Sequence, residues 1–228
     1  MKITKILSKR FSLVRSLGLL ILGTAALTIC SCSHSVIVTI PPVVELADYE
    51  VIGLIEFSSE SAGQLGIEAT RKFIDNLHGA QPGVRILEIG NQKDILNKLG
   101  YDRLDFQSIK AIGDHYGVAA VVTGTVELSE PKPDAKAATD LSVLLAGIEA
   151  KVDGRMTAKL WETASGATVW SNSSWGTWTI GGVSFDSKGR VSAGYSYPME
   201  KQREILTALV RALNGDFWPT YEKHKVKE

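Results

Sequence analysis

Three short apolar runs set the limits on what this chain can fold into. Val51-Ile52-Gly53-Leu54-Ile55, with Phe57 behind it, lacks the polar alternation of a strand with one wet face and reads as a strand buried on both. Val84, Ile86, Leu87 and Ile89 form a second run, and residues 118–126 a third. Between the first two, Ala69, Phe73, Ile74 and Leu77 recur at helical spacing before Gly79 stops them. Between the second and third, Asn91 stands as the N-cap of a helix holding Ile95, Leu96 and Leu99, with Asp94 in its first turn and Gly100 at its end. A further short helix is expected over residues 107–116, with Ile109, Ile112 and Tyr116 on one face. The order strand, helix, strand, helices, strand packs helices on a sheet through right-handed crossovers.

Beyond this point the period of the pattern changes. Residues 129–139, with Pro131 and Pro133, are a loop by composition, and residues 141–148 fit a strand or a helix. Met156, Ala158 and Leu160 then alternate with Thr157, Lys159 and Trp161, and the pattern resumes over residues 168–174. The turn Glu162-Thr163-Ala164-Ser165-Gly166 between them predicts a β-hairpin. A second hairpin is expected over residues 175–197, turning at Asp186-Ser187-Lys188-Gly189, followed by a final helix over residues 200–213 that buries Ile205, Leu206, Leu209, Val210 and Leu213. The expected fold class is α/β (α+β): a mixed β-sheet flanked by helices, with C-terminal β-hairpins and a final helix. It fills a single domain over residues 49–218, and residues 219–228 form a polar tail that frays from Lys223 onward.

The N-terminus has a different character. Lys2, Lys5, Lys9, Arg10 and Arg15 precede an apolar stretch over residues 17–29, with no acid among them. That is the form of a secretory signal, and the stretch is shorter than the ~20 residues a helix needs to cross the hydrocarbon layer. Cys30 and Cys32 follow, too close in sequence to close an unstrained bridge. Lipidation is the other use of a thiol here, which makes residues 1–31 a lipoprotein signal peptide. Residues 32–48, with Pro41-Pro42, then form a lipid-anchored tether or edge strand. Two cleavage frames compete. A cut before Cys32 follows small Ser31, whereas a cut before Cys30 follows bulky Ile29, so Cys32 is the preferred acylated residue and Cys30 the minority choice. Removal of the signal takes five of the 25 basic residues and none of the 25 acids, leaving 20 against 25 and a net charge of −5. An acidic chain argues against sequence-independent nucleic-acid binding, which neutralises phosphates with Lys and Arg.

Motifs for chemistry are sparse. His34, His78, His115 and His224 lack a second ligand at zinc-site spacing, and no phosphate loop, dinucleotide fingerprint or nucleophile elbow occurs, so no cofactor is expected. Glu56 and Glu127, near strand ends, are the residues a hydrolase alternative would use, with neither nucleophile nor oxyanion motif beside them. The aromatic cluster Trp170, Trp175, Trp178, Phe185, Tyr195 and Tyr197 has a packing explanation, since cross-strand aromatics stabilise hairpins. As a functional feature, Trp175, Trp178, Phe185, Tyr195 and Tyr197 form a candidate partner surface or a membrane-entering hairpin.

Val51 to Phe57, Ile112 to Thr125 and Glu162 to Ser171 together resemble the motifs of a family of outer-membrane lipoproteins, the curli secretion channels of the CsgG type and the penicillin-binding-protein activators of the LpoB type. Residues 111–125 are similar to the family's Ile-Gly-x-x-x-Gly-Val-x-x-x-Val-x-Gly-Thr stretch, read here from Ile112 to Thr125. Residues 162–171 resemble its D-x-x-T-G-x-x-x-W-S hairpin, and residues 51–57 its first strand. The resemblance implies a periplasmic α/β domain on the outer membrane, a palmitate-bearing anchor, and action through envelope proteins without catalysis. Ser33, in place of the Asp that marks inner-membrane retention, agrees with the outer membrane. The channel form implies self-association into a ring, each subunit giving two hairpins; residues 175–197 match the second, and the first has no counterpart.

Overall fold

Handedness explains how the first half of the sheet is built. The computed structural model describes residues 34–60, 64–133, 148–183 and 199–226. After β1 (His34–Ile40) come β2 (Ile52–Ile55), α1 (Leu65–Ala80), β3 (Ile86–Gly90), α2 (Gln92–Leu99), α3 (Phe106–Tyr116) and β4 (Ala120–Leu128). Strands β3 and β4 lie on either side of β2, both parallel to it. The two crossovers therefore move in opposite directions, and right-handedness puts their helices on opposite faces. Ala69, Phe73 and Leu77 of α1 accordingly pack with Ile52 and Leu54, whereas Ile95 of α2 and Ile109 and Ile112 of α3 pack with Ile55 and Val121.

The second half is antiparallel. Short β5 (Lys132–Pro133) continues the line of β4 along one edge of β6 (Ile148–Glu162), and β7 (Thr168–Val183) pairs along the other. Helix α4 (Met199–Leu213) covers one face of this hairpin through Ile205, Leu206, Leu209, Val210 and Leu213. The fold class is thus α+β, with a mixed sheet and a final helix, as the sequence pattern implies.

Local signals fix the helix ends. Asn91 Oδ1 accepts from the Lys93 amide at 2.9 Å, the N-cap expected of it. Asp105 caps α3 more completely: Oδ1 accepts from the amides of Ser108 (3.0 Å) and Gln107 (3.1 Å), and the Asp105 amide donates to the Ser108 hydroxyl oxygen at 2.8 Å. The Ser108 amide, with smaller help from Arg103 and the Gln107 amide, holds the Asp105 carboxyl below the usual carboxylate range. A depressed pKa adds stability that is complete above the unfolded value and lost as pH falls through the folded one. Asp105→Asn should therefore lower the urea midpoint at neutral pH, and the gap from wild type should close in acid, where both side chains are neutral. A gap unchanged by acid would mean that the charge contributes nothing.

The structure departs from the sequence expectations in several places. Helix α1 runs through Gly79 to Ala80, because Gly79 lacks the left-handed backbone that would end the helix; the space beside it, next to the Trp218 ring, would admit an ordinary Cβ. Residues 175–183 run on from residues 168–174 without a break. They are the second half of β7, paired with β6 back to Ile148, and the returning arm with Phe185, Tyr195 and Tyr197 lies outside the described residues. Residues 219–228 are not simply a tail, since β8 (Thr220–Val226) pairs with β1 in a two-stranded sheet.

Contacts divide the chain into two compact units, Pro41–Thr220 and a second made of Met1–Ile40 with Tyr221–Glu228. Part of the expected 32–48 tether thus belongs to the larger unit. Leu46 is fully buried there, and Gln81 clamps the segment, its Oε1 accepting from the Leu46 amide (2.7 Å) and its Nε2 donating to the carbonyls of Val44 (2.7 Å) and Phe217 (3.0 Å).

Candidate contact surface

Each strand of the β6–β7 hairpin alternates, so the two faces have separate fates. The inner face of β6 carries Ala150, Val152, Met156, Ala158 and Leu160, and that of β7 carries Trp170, Ser174 and Ile180, all buried. Its polar groups are paired: Trp170 Nε1 donates to Asp216 Oδ2 (2.9 Å), Asn172 Nδ2 to the Leu213 carbonyl (3.0 Å), and the Ser174 hydroxyl to the Leu209 carbonyl (2.9 Å). These bonds seat the end of α4 on β7.

Trp178 also belongs to this inner face. Gly154 and Gly176 stand opposite each other across the strands, and the Trp178 indole lies over both, so that a Cβ on either would run into the ring. Paired glycines leave a gap in a sheet face and an aromatic side chain fills it. Trp178 is half-buried and packs against the core.

Trp175, three residues earlier, points the other way and is 81% exposed. It lies on the outer face, where helices α2 and α3 cover the sheet only as far as Val121 and Trp161. Beyond them the register sets Glu127, Arg155 and Trp175 in one row across β4, β6 and β7. The neighbouring row pairs Asp153 with Thr177, whose hydroxyl donates to Asp153 Oδ1 at 2.7 Å, and Lys132 Nζ lies 3.4 Å from Oδ2. The Thr177 hydroxyl first, then Lys132, hold the Asp153 carboxyl below its usual range, so it is ionised at neutral pH. A groove of about 570 Å³ runs along these residues, with Glu60, Glu127, Ser129, Asp153, Arg155 and Trp175 among its walls.

The hydrolase residues do not converge. Glu127 lines this groove, whereas Glu56 lines a separate recess of about 370 Å³ with Thr70, Arg71 and Glu88. Among the described residues no group of three His, Cys, Asp or Glu side chains is placed to hold a metal ion. No helix among them is long and apolar enough to cross a membrane, which says nothing of β-barrels. Cys30 and Cys32, like Phe185, Tyr195 and Tyr197, lie outside the described residues.

The residues that carry the family resemblance prove architectural. Gly113 lets α3 touch the side chain of Thr163, whose hydroxyl donates to the carbonyls of Val118 (2.8 Å) and Ala119 (2.9 Å). Gly117 ends α3 with φ at 66°, a left-handed cap. Gly124 lies beneath the Phe57 ring and against the Thr157 carbonyl, where a Cβ has no room.

No protein family and no curated protein matches the sequence. Solved structures do resemble it. The PelC dodecamer from Paraburkholderia phytofirmans is 14% identical, with 81% of this chain and 97% of that one covered, at a TM-score of 0.42. Lipoprotein GNA1162 from Neisseria meningitidis is 13% identical, with 71% and 96% covered, at 0.40. The LpoB C-terminal domain from Escherichia coli is 14% identical, with 57% and 81% covered, at 0.32.

Proposed function

We propose that this chain is an outer-membrane lipoprotein of a bacterial cell envelope, acylated on Cys32, that works without catalysis as an assembly or accessory protein through protein contacts on the open face of the sheet. The observation that carries this is Trp175. A large aromatic side chain left in water on the open face of β7, with Arg155 and Glu127 in its row, matches the composition of interface centres, where Trp and Arg are enriched. The basic N-terminus, the short apolar stretch and small Ser31 before Cys32 support the anchor, and Ser33 supports the outer membrane.

A photo-crosslinking residue in place of Trp175, expressed in the native envelope, tests the contact. It should capture a discrete partner, and the same residue at Ser171 should capture far less. Equal, diffuse labelling at both positions would remove the face from consideration. Palmitate labelling tests the anchor: Cys32→Ala should abolish uptake and Cys30→Ala should not, while the reverse result would move the anchor two residues back. The ring-forming secretion channel gains no support from β7, whose residues 175–183 pair with β6 and place Trp178 and Ile180 against the core.

A further inference from the structure

Among the described residues, the β1–β8 ribbon carries much exposed aliphatic surface for a two-stranded sheet. Such pairs are marginal alone and need a surface to cover them. Yet Val36, Ile37, Val38 and Ile40 of β1 are 49%, 61%, 42% and 37% exposed. Alternation puts Val36, Val38 and Ile40 on one face, a continuous aliphatic stripe. We propose that this ribbon lies on the bilayer, with an anionic lipid surface as its occupant; the inference rests on the Cys32 anchor.

Position and charge both point to lipid. Val36 stands four residues past Cys32, at most about 14 Å of extended chain, so acylation brings the stripe within reach of the headgroup layer. Its pairing partner then supplies cations. β8 exposes Lys223 and Lys225 against a single acid, Glu222, which lies 3.2 Å from His224 Nε2. This basic strand belongs to a chain that carries net −5 once the signal is removed, so its charge runs against that of the whole. An aliphatic stripe joined to ammonium groups is the sheet equivalent of an interfacial amphipathic helix, in which apolar burial and attraction to anionic lipid act together. The ribbon would also add a second attachment to the acyl chains and limit how far the chain swings from the surface.

The test uses the full lipidated protein, purified from membranes and reconstituted in phosphatidylcholine vesicles with or without phosphatidylglycerol. Cys32 is acylated in this form, so Val38→Cys, Ile37→Cys or Thr157→Cys gives one reactive thiol for a fluorophore. Spin-labelled lipid headgroups should quench the probe at position 38 strongly, at 37 less, and at 157 hardly at all. Lys223→Glu with Lys225→Glu should reduce the partition of the unacylated Cys32→Ser chain onto phosphatidylglycerol vesicles by about tenfold or more. If the mass of the purified chain shows acylation while positions 37 and 38 both escape quenching, the ribbon does not lie on lipid and the inference fails. Crosslinking between copies at position 38 without quenching would assign the stripe to a second copy instead, and overturn it equally. If the mass shows no acylation, the anchor itself fails; partition of the unacylated chain onto anionic vesicles then upholds or overturns the ribbon's lipid affinity by itself.

Discussion

Replacing Phe73 with alanine is expected to cost about 3–5 kcal/mol, the range for emptying a buried phenylalanine site. Phe73 is fully buried on α1, its ring 5.1 Å from Phe57 and 6.4 Å from Phe217, and Phe217 lies 4.6 Å from Trp170. Four rings thus tie the segment after β2, helix α1, the turn after α4 and strand β7 into one stack. The surroundings have little freedom to collapse into the space. The Phe57 amide is held by Thr70 Oγ1 at 2.9 Å, and Trp170 is fixed by its bond to Asp216. Domains of this size are stable by only about 5–15 kcal/mol, so the variant should lose a large part of its folded margin. Urea unfolding followed by tryptophan emission measures this. A loss below about 1 kcal/mol would mean that the rings do not pack as a unit.

Signals that act within a few residues were open to sequence reading. Asn91 and Gly100 bracket α2 as their chemistry requires, and the alternation from Met156 to Leu160 is the inner face of β6. The Asp105–Ser108 capping box is legible in the same way, from a spacing of three residues ahead of the apolar Ile109 and Ile112. Pairing of β1 with β8 is of another kind. The strands are at opposite ends of the described chain, and the Glu-Lys-His-Lys stretch of β8 has no strand-like hydrophobic pattern, so nothing local announces it. The contact surface lies between these cases. Trp175 and Trp178 look like one cluster when aromatics are counted, whereas an offset of three in an extended strand sends them to opposite faces. The period was visible, but which face would be covered depended on how far α2 and α3 reach.

That separation of the two tryptophans gives the largest expected functional effect. Trp175→Ala should leave the urea midpoint within about 0.5 kcal/mol of wild type, because the side chain is in water and buries little. Partner capture should fall by about 30-fold or more, as for an aromatic anchor at an interface centre whose loss costs about 2 kcal/mol or more. Trp178→Ala should do the reverse at first order, destabilising the sheet by uncovering Gly154 and Gly176 while leaving the outer face chemically intact. Arg155→Glu adds a discriminating arm. It keeps a charged side chain on the exposed face but places a second acid directly opposite Glu127, so a partner with acidic groups should be repelled, at a cost to fold stability of up to about 1 kcal/mol from the like charges. Co-purification from native membranes with each variant, normalised to folded protein, separates the outcomes. Loss of capture with Trp178→Ala alone, at equal folded amounts, would mean that the inner face or the ends of the hairpin carry the contact and that the exposure of Trp175 has another cause.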